Sequence, residues 1–397
     1  MKKLLVIAAG ILQIPIIKKA KDMGYYVIAA DGNNNAPGFL YSNKKICANI
    51  TDEEVMLHIA KEEKIDGVIH PCSEVAMNVM GRINDELGLS GISKQIAINA
   101  TNKFQMRRIF EMNSVSSPQS ICLSDVDALW NVFNDKFNGP AIIKPSRSSG
   151  SRGVAKIEKD ISLMRFREFF QRALNESRDS SVLLEQFIGG VEFSVEVLVC
   201  GKTPYVLSVT DKLTTNAPYF VELGHSQPSL YPNEIIEKVT KVACDGVIAL
   251  DLNNCAAHVE VKVDNGVAYI IEIGARLGGD FITSDLTYIS TGIDMVAAAI
   301  NLSLGEVPNL NPSREKKSVC IRYFCPKPGK LVKIDNLDRL NNPNVYSSDI
   351  YVKRGDVIEE IKSSNNRSGH VITIADTPQE AINIAENIIK EVSFTTI

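Results

Sequence analysis

The stretch VEVKVDNGVAYIIEIGARLGGD, residues Val259–Asp280, decides how this chain is read. Two runs of alternating apolar and polar residues flank Asp264-Asn265-Gly266, so the segment is predicted to be a β-hairpin turned at those three residues. The hairpin sets Glu260 and Glu272 on neighbouring strands, and the second strand empties into Arg276, Gly278 and Gly279. Carboxylates among Val, Ile and Tyr at core-strand positions are costly to bury unless a cation joins them. Two of them side by side, with an arginine a few residues on, suit a divalent metal bridging a polyphosphate. An exposed hairpin face with an ordinary salt bridge is the plainer alternative. The lysines upstream count against it.

Working outward, the run AIIKPSRSSGSRGVAKI from Ala141 reads as strand, loop, strand, with Lys144 at the base of a loop holding Ser146, Ser148, Ser149, Gly150, Ser151, Arg152 and Gly153. Amides of a Ser/Gly loop can wrap phosphate oxygens, and the lysine supplies a point charge. The pattern is not GxxxxGK[ST] before a helix, so this is not a P-loop. Further on comes LLEQFIGGVEFSVEV, where Glu185 and Glu192 flank the turn Gly189-Gly190. The extended segment Glu185–Ile188, which includes Gln186, can offer main-chain groups to an adenine edge, and Glu192 can accept hydrogen bonds from ribose hydroxyls. Taken alone, this stretch is an unremarkable strand–turn–strand. Its weight comes from the order Lys103, Lys144, glycine loop, Glu185, Glu192, Glu260, Glu272, Arg276.

Residues 1 to about 95 alternate strands (LLVIAAG, YVIAAD, GVIHP) with helices at Leu12–Met23, Glu53–Glu63 and Val75–Leu87, a rhythm that predicts a parallel sheet covered by helices. The first strand ends in a single Gly10 rather than GxGxxG, which argues against a dinucleotide-dependent dehydrogenase. Ser73-Glu74 follows a parallel strand, at the edge where ligands of open α/β sheets gather. A helix from Asn102 to Asn113, capped by Thr101, opens a second block. Later helices are expected at 233–249, 292–303 and Pro378–Val392, with PNLNPSR as a linker before the last block.

The 397 residues suffice for several structural units, with 45% hydrophobic and 23% charged residues as in ordinary globular proteins. A net charge of −4 with interspersed signs implies no basic surface for nucleic acid or acidic lipid. Apolar runs fall short of a membrane span, so no membrane partner is expected. Eight scattered cysteines without CxxC predict free thiols in a reducing cytoplasm, and five isolated histidines give no zinc pattern.

The ordered motifs NKFQMRR around Lys103, AIIKPSRSSGSRGV, LLEQFIGGVEFSVEV and HVEVK…YIIEIGARLGG resemble the ATP-grasp superfamily over nearly the whole chain, in its biotin-carboxylase-like branch. The resemblance implies an α/β ATP-grasp fold: a parallel-sheet pre-ATP-grasp domain at 1–100, an ATP-grasp domain at 101–310 with a mobile lid at about 118–182, and a small C-terminal α+β domain at 311–397. It implies ATP with one or two Mg²⁺ or Mn²⁺ ions. Lys103 and Lys144 would contact phosphates, under a lid loop 148–153 containing Ser149, Gly150 and Gly153. Glu185, Gln186 and Ile188 would hold adenine, Glu192 ribose, and Glu260 and Glu272 metal. Members commonly carry Asn two residues after the second glutamate, where this chain has Gly274, which leaves the metal count open.

TDKLTTNAPYFVELGHSQPS, Thr210–Ser229, resembles a loop of dipeptide-forming L-amino acid ligases, as does ARLGG at 275–279. That likeness implies an ATP-dependent carboxylate–amine ligase working through an acyl phosphate. Glu222 would attract an ammonium group, His225 would accept a proton, and Arg276 would steady developing negative charge. Gly278, Gly279 and Asp280 would border the pocket for the first amino acid, with Asp280 favouring a polar or cationic side chain or narrowing the pocket. His258, alternating with Glu260, is expected to support the site. The implied partners are small-molecule carboxylate and amine substrates, and chains with this plan are often homodimers. A carboxylase or formyl-type ligase of purine or carbamoyl-phosphate metabolism, and a nucleotide-binding regulator without turnover, stay open as alternatives.

Overall fold

The computed structural model describes residues 1–147, 152–215 and 219–397. Ser149 and Gly150 of the expected phosphate loop lie outside these described residues.

A parallel sheet of order β3-β2-β1-β4 comprises β1 (Lys3–Ile7), β2 (Tyr26–Asp31), β3 (Lys44–Cys47) and β4 (Gly67–Ile69). Strands β1, β2 and β4 read as nearly continuous apolar runs because helices cover both faces, whereas the edge strand β3 is largely exposed. The connection crosses from one side of β1 to the other between β3 and β4, so the crevice outside β1 and β4 is the switch point. Glu74 follows β4 there.

The helix Glu53–Glu63 has the bounds expected from the sequence, and Asp52 caps it through Glu54 N and Val55 N. The helix Lys94–Thr101 was not foreseen. The helix after it, Lys103–Met112, is capped not by Thr101 but by Asn102, whose side chain accepts from Gln105 N at 3.0 Å. Thr101 instead ends the preceding helix, its hydroxyl bonded back to Ala97 O.

A small antiparallel sheet, order β5-β8-β6-β7, joins β5 (Ser120–Leu123), β6 (Ala141–Pro145), β7 (Ala155–Ile157) and β8 (Val182–Gln186) around Phe133, Phe166 and Phe170. The large sheet runs β13-β12-β9-β10-β11-β14-β18-β16. Its strands are β9 (Val191–Cys200), β10 (Thr203–Thr214), β11 (Glu222–Gln227), β12 (Cys255–Asp264), β13 (Val267–Gly274), β14 (Ser318–Tyr323), β16 (Val345–Ile350) and β18 (Gly369–Ala375). Strands β15 (Gly329–Asp335), β17 (Val357–Ile358) and β19 (Ser393–Thr396) form a separate three-stranded sheet. Since β14 pairs with β11, the last block extends the central sheet and brings its loops to the same surface.

Period-two alternation sorts the central strands into two faces. Phe193, Val195 and Val197 of β9 and Val259, Val261 and Val263 of β12 go into the main core with Phe110 and Val239. Glu192, Ser194 and Glu196 therefore line the opposite face, in register with Lys262, Glu260 and His258. One face of this sheet is core and the other carries the charges.

Residues 210–229 are not a single loop, as the sequence suggested. β10 runs on to Thr214 and pairs with β11, with a bulge at Leu213/Thr214. The eight cysteines form no disulfide, and among the described residues no helix is long and apolar enough to cross a membrane.

Candidate active site

The expected hairpin forms, with Asn265 and Gly266 at φ 49° and 77° in its turn. Glu260 and Glu272 are cross-strand partners. Both line a cleft of about 330 Å³ between the central sheet, the small antiparallel sheet and Glu74 of the first domain. The same cleft is lined by Lys103, Lys144, Glu185, Gln186, Ile188, Glu192, Glu222 and Arg276. Ten of the side chains singled out from the sequence thus share one cavity.

Local sequence explains each placement. Lys103, Met106, Arg107 and Phe110 form an i, i+3, i+4, i+7 stripe, which buries one face of their helix and carries two cations inward. Lys103 Nζ donates to Glu272 Oε1 at 2.7 Å. Burial lowers its basicity, but Glu272 and Glu74 outweigh that and raise the pKa. Lys144, on β6, meets Glu185 of the neighbouring β8 at 2.5 Å. Arg107 Nε lies 2.9 Å from the other oxygen of Glu185. Burial would raise the Glu185 carboxyl, yet Arg107 and Lys144 hold it below the usual carboxylate range. Burial pulls Lys144 down, and Arg107 and Lys103 add to that. The Glu185 side chain is therefore spent on fixing Lys144, which leaves its main chain for any ligand at the Glu185–Ile188 edge.

Sequence reasoning missed Arg107, although its position four residues after Lys103 was a usable signal. It also missed Lys212. This lysine sits on β10 with 3% of its side chain exposed, and its Nζ lies 2.5 Å from Glu192, 3.0 Å from Glu260 and 3.8 Å from Glu222. Burial opposes its charge, but Glu260 and Glu192 raise its pKa well above the ordinary lysine value. In return, Lys212, His258 and Arg276 overcome burial and hold the Glu260 carboxyl down to about 2.

Arg276 is 3.4 Å from Glu74 Oε1 and donates to Leu277 O, and its buried Nε has no hydrogen-bond partner in the structure. A Cβ on Gly274 would stand 3.2 Å from the Arg276 guanidinium. Glycine thus gives the arginine room. Burial, then the nearby Glu272, raises the Glu74 carboxyl. His258 Nδ1 meets the fully buried Glu196 at 2.5 Å and its Nε2 lies 4.0 Å from Glu260. That is a supporting arrangement, as expected.

Five of the expected residues among those described, His225, Gly278, Gly279, Asp280 and Gly153, do not line the cleft. His225 lies inside β11 with 1% of its side chain exposed, its Nε2 3.5 Å from Asp280 Oδ2. Gly278 packs on the Glu196–His258 pair, where a Cβ would stand 2.7 Å from His258 Nδ1. Gly279 has open space around its Cα. Asp280 is held bidentate by Arg367 at 2.7 and 2.8 Å, and Arg367 stacks 3.7 Å from the Tyr323 ring centroid. Burial notwithstanding, Arg367 and His225 keep the Asp280 carboxyl well below the usual carboxylate range. The Asp280 charge is thus matched by Arg367, the kind of positive group a buried carboxylate needs. Gly153, at φ +72°, sits against Ala173 and Glu176 of the helix Leu163–Glu176, a left-handed position at the end of the loop that suits glycine.

The donor set fits a nucleotide and a divalent cation. No group of three or more His, Cys, Asp or Glu side chains among the described residues could hold a metal. A cation on Glu260 and Glu272 would need phosphate oxygens and water to complete its shell, which is how magnesium is bound beside polyphosphates. Ile142, Ile188, Ile271 and Phe187 supply apolar walls, and Lys262 donates to Ile188 O at 3.2 Å.

Residues 137–285 match the ATP-grasp domain model and residues 322–396 match L-amino acid ligase C-terminal domain 2. The chain carries an ATP-grasp domain. Enzymes of this fold use ATP and divalent metal ions in general. The chain is 24% identical over 298 residues to the alanine–anticapsin ligase of Bacillus subtilis, covering 69% of this chain and 62% of that protein. It is 23% identical over 325 residues to the dapdiamide A synthase of Enterobacter agglomerans, covering 77% and 74%. It therefore spans less than two thirds of the length of the first of these relatives. The crystal structure of an L-amino acid ligase from Bacillus licheniformis superposes with a TM-score of 0.83 over 100% of this chain and 99% of that one, at 22% identity. The fold is thus the mixed α/β ATP-grasp fold with a parallel-sheet N-terminal domain.

Proposed function

We propose that the chain is an ATP-dependent carboxylate–amine ligase that forms an amide or peptide bond, with an L-amino acid among its substrates. One observation carries the reading: paired Glu260 and Glu272 share a cleft with Lys103, Lys144 and Arg276. The relatives named as ligases and the match to the ligase C-terminal domain support it.

In the first step a substrate carboxylate oxygen attacks the γ-phosphorus of ATP, the bond to the β–γ bridging oxygen breaks, and ADP leaves. In the second the ammonium passes one proton to Glu222, the freed amine nitrogen attacks the activated carbonyl, the carbon–oxygen bond to phosphate breaks, and the nitrogen's second proton goes to the departing phosphate. One or two magnesium or manganese ions, bound by Glu260 and Glu272, would supply the Lewis acid that offsets repulsion between the reacting anions. Lys144, fixed by Glu185, and Lys103 meet the phosphates. Arg276, with an uncommitted buried Nε, steadies the oxyanion of the second step. Glu222 faces the cleft and receives the amine as its ammonium form. His225, buried within β11, faces Asp280 instead of reaching the substrate.

ADP release measured over a panel of carboxylate–amine pairs tests this. Turnover with two amino acids is expected. Turnover with bicarbonate in place of an amino acid, or ATP binding without turnover on any pair, would remove the proposal.

A further inference from the structure

Lys212 lies in the stretch Thr210–Ser229 but was given no role there, yet its ammonium is the hub of the cleft's acidic side. It reaches Glu192 at 2.5 Å, Glu260 at 3.0 Å and Glu222 at 3.8 Å. These three carboxylates belong to the proposed ribose, metal and amine positions. The other proposed metal ligand is matched in the same way, since Lys103 lies 2.7 Å from Glu272. Among the described lining residues the cleft counts six carboxylates and six lysine or arginine side chains.

A site balanced in this way responds to ligands by charge. A bare divalent cation would add two positive charges beside Lys212, which cannot withdraw from its strand because only 3% of its side chain is exposed. At separations of a few ångströms such a repulsion is weakened by the surrounding protein and water but not abolished. A cation that arrives with a polyphosphate brings compensating negative charge and meets much less of it.

We infer that Lys212 is a positioning residue that keeps a bare divalent cation off Glu260, so that metal enters the cleft only together with the nucleotide. The inference rests on reading Glu260 as a metal ligand. Once metal is in place, Lys212 retains Glu192 and Glu222, which ties the nucleotide and amine ends of the cleft to one cation.

Mn²⁺ binding, read by electron paramagnetic resonance as loss of the free-ion signal, tests this on the full chain with Mn²⁺ alone and then with ADP. Wild type is expected to bind Mn²⁺ alone at least about ten-fold more weakly than with ADP, within the usual range of coupling between sites. K212M, checked for folding by circular dichroism, should bind Mn²⁺ alone about ten-fold more tightly than wild type, and adding E260Q should cancel the gain. K212R, which keeps the charge, should stay weak. A folded K212M that binds Mn²⁺ alone no better than wild type, with ADP-assisted binding intact, overturns the inference. Wild type binding Mn²⁺ as tightly alone as with ADP overturns it whether or not K212M folds. If E260Q and E272Q leave ADP-assisted binding unchanged, the metal reading itself fails, an outcome separate from the other two.

Discussion

Arg107 and Arg367 each hold a carboxylate, Glu185 in the cleft wall and Asp280 outside the cleft lining, in opposite settings. Arg107 and Lys144 close on Glu185 from two sides, and all three side chains are less than a tenth exposed. Arg367 comes from the last block, 87 residues beyond Asp280, and its pair stays partly exposed at 10% and 24%. The strap that carries it also sets Ser364 Oγ 3.2 Å from Glu222 Oε2. The closed triad fixes Lys144, while the strap ties the C-terminal block to Glu222; under the proposed function these would be the phosphate and amine ends of the cleft.

The sharpest break of this contrast is Glu185→Gln. It leaves Lys144 and Arg107 buried without their anion, and denaturant unfolding should show a loss of about 3–5 kcal/mol. A cost near zero would mean the triad is not closed. Arg276 is the intermediate case, with one carboxylate at 3.4 Å and an unpartnered Nε. Arg276→Ala should lower the rate of ADP release about 10²–10³-fold at unchanged Tm, as loss of an oxyanion donor does.

Arg367→Met should cost less stability than the triad, about 1–3 kcal/mol, because solvent reaches the Asp280 left behind. It should also shift turnover toward amino acids with cationic side chains, since Asp280 then lacks its partner. Unchanged substrate ranking in this variant would separate Asp280 from the amino-acid pocket.

The pH dependence adds a further distinction. Glu260 is depressed from 4.5 to about 2, so its contribution is complete above about pH 4.5 and fades as pH falls toward 2. Removing Lys212 removes the leading attractive cause, so the stability gap between wild type and K212M should narrow over that window. A gap constant from pH 6 to pH 2.5 would contradict the assignment. The smallest effect belongs to Ser364→Ala, which deletes one hydroxyl bond to Glu222. The amine KM should rise only a few-fold, for a loss of about 0.5–1.5 kcal/mol.

The hairpin was legible because its information is local. Alternation and an Asn-Gly turn put the two glutamates on neighbouring strands, and a register shift between Glu260 and Val261 makes them direct partners. The same holds for the helices at 53–63 and 233–249, whose bounds follow from apolar spacing and, for the first, an Asp cap. The stretch 210–229 was read as a loop from its resemblance to a loop of L-amino acid ligases, whereas pairing with β9 and β14 makes strands of Thr210–Thr214 and Glu222–Gln227.

By itself, then, the sequence determined which faces are apolar, where the chain turns and which charges must lie inward, since these follow from residue spacing of two or 3.6. It could not determine partners across long separations. That Lys212 serves three glutamates, that Arg367 neutralises Asp280 and that His225 is sealed within a strand were decided only when the central sheet drew β11, β12 and β14 together. The physical reason is that a buried charge takes its meaning from the nearest opposite charge, and only tertiary packing sets that distance.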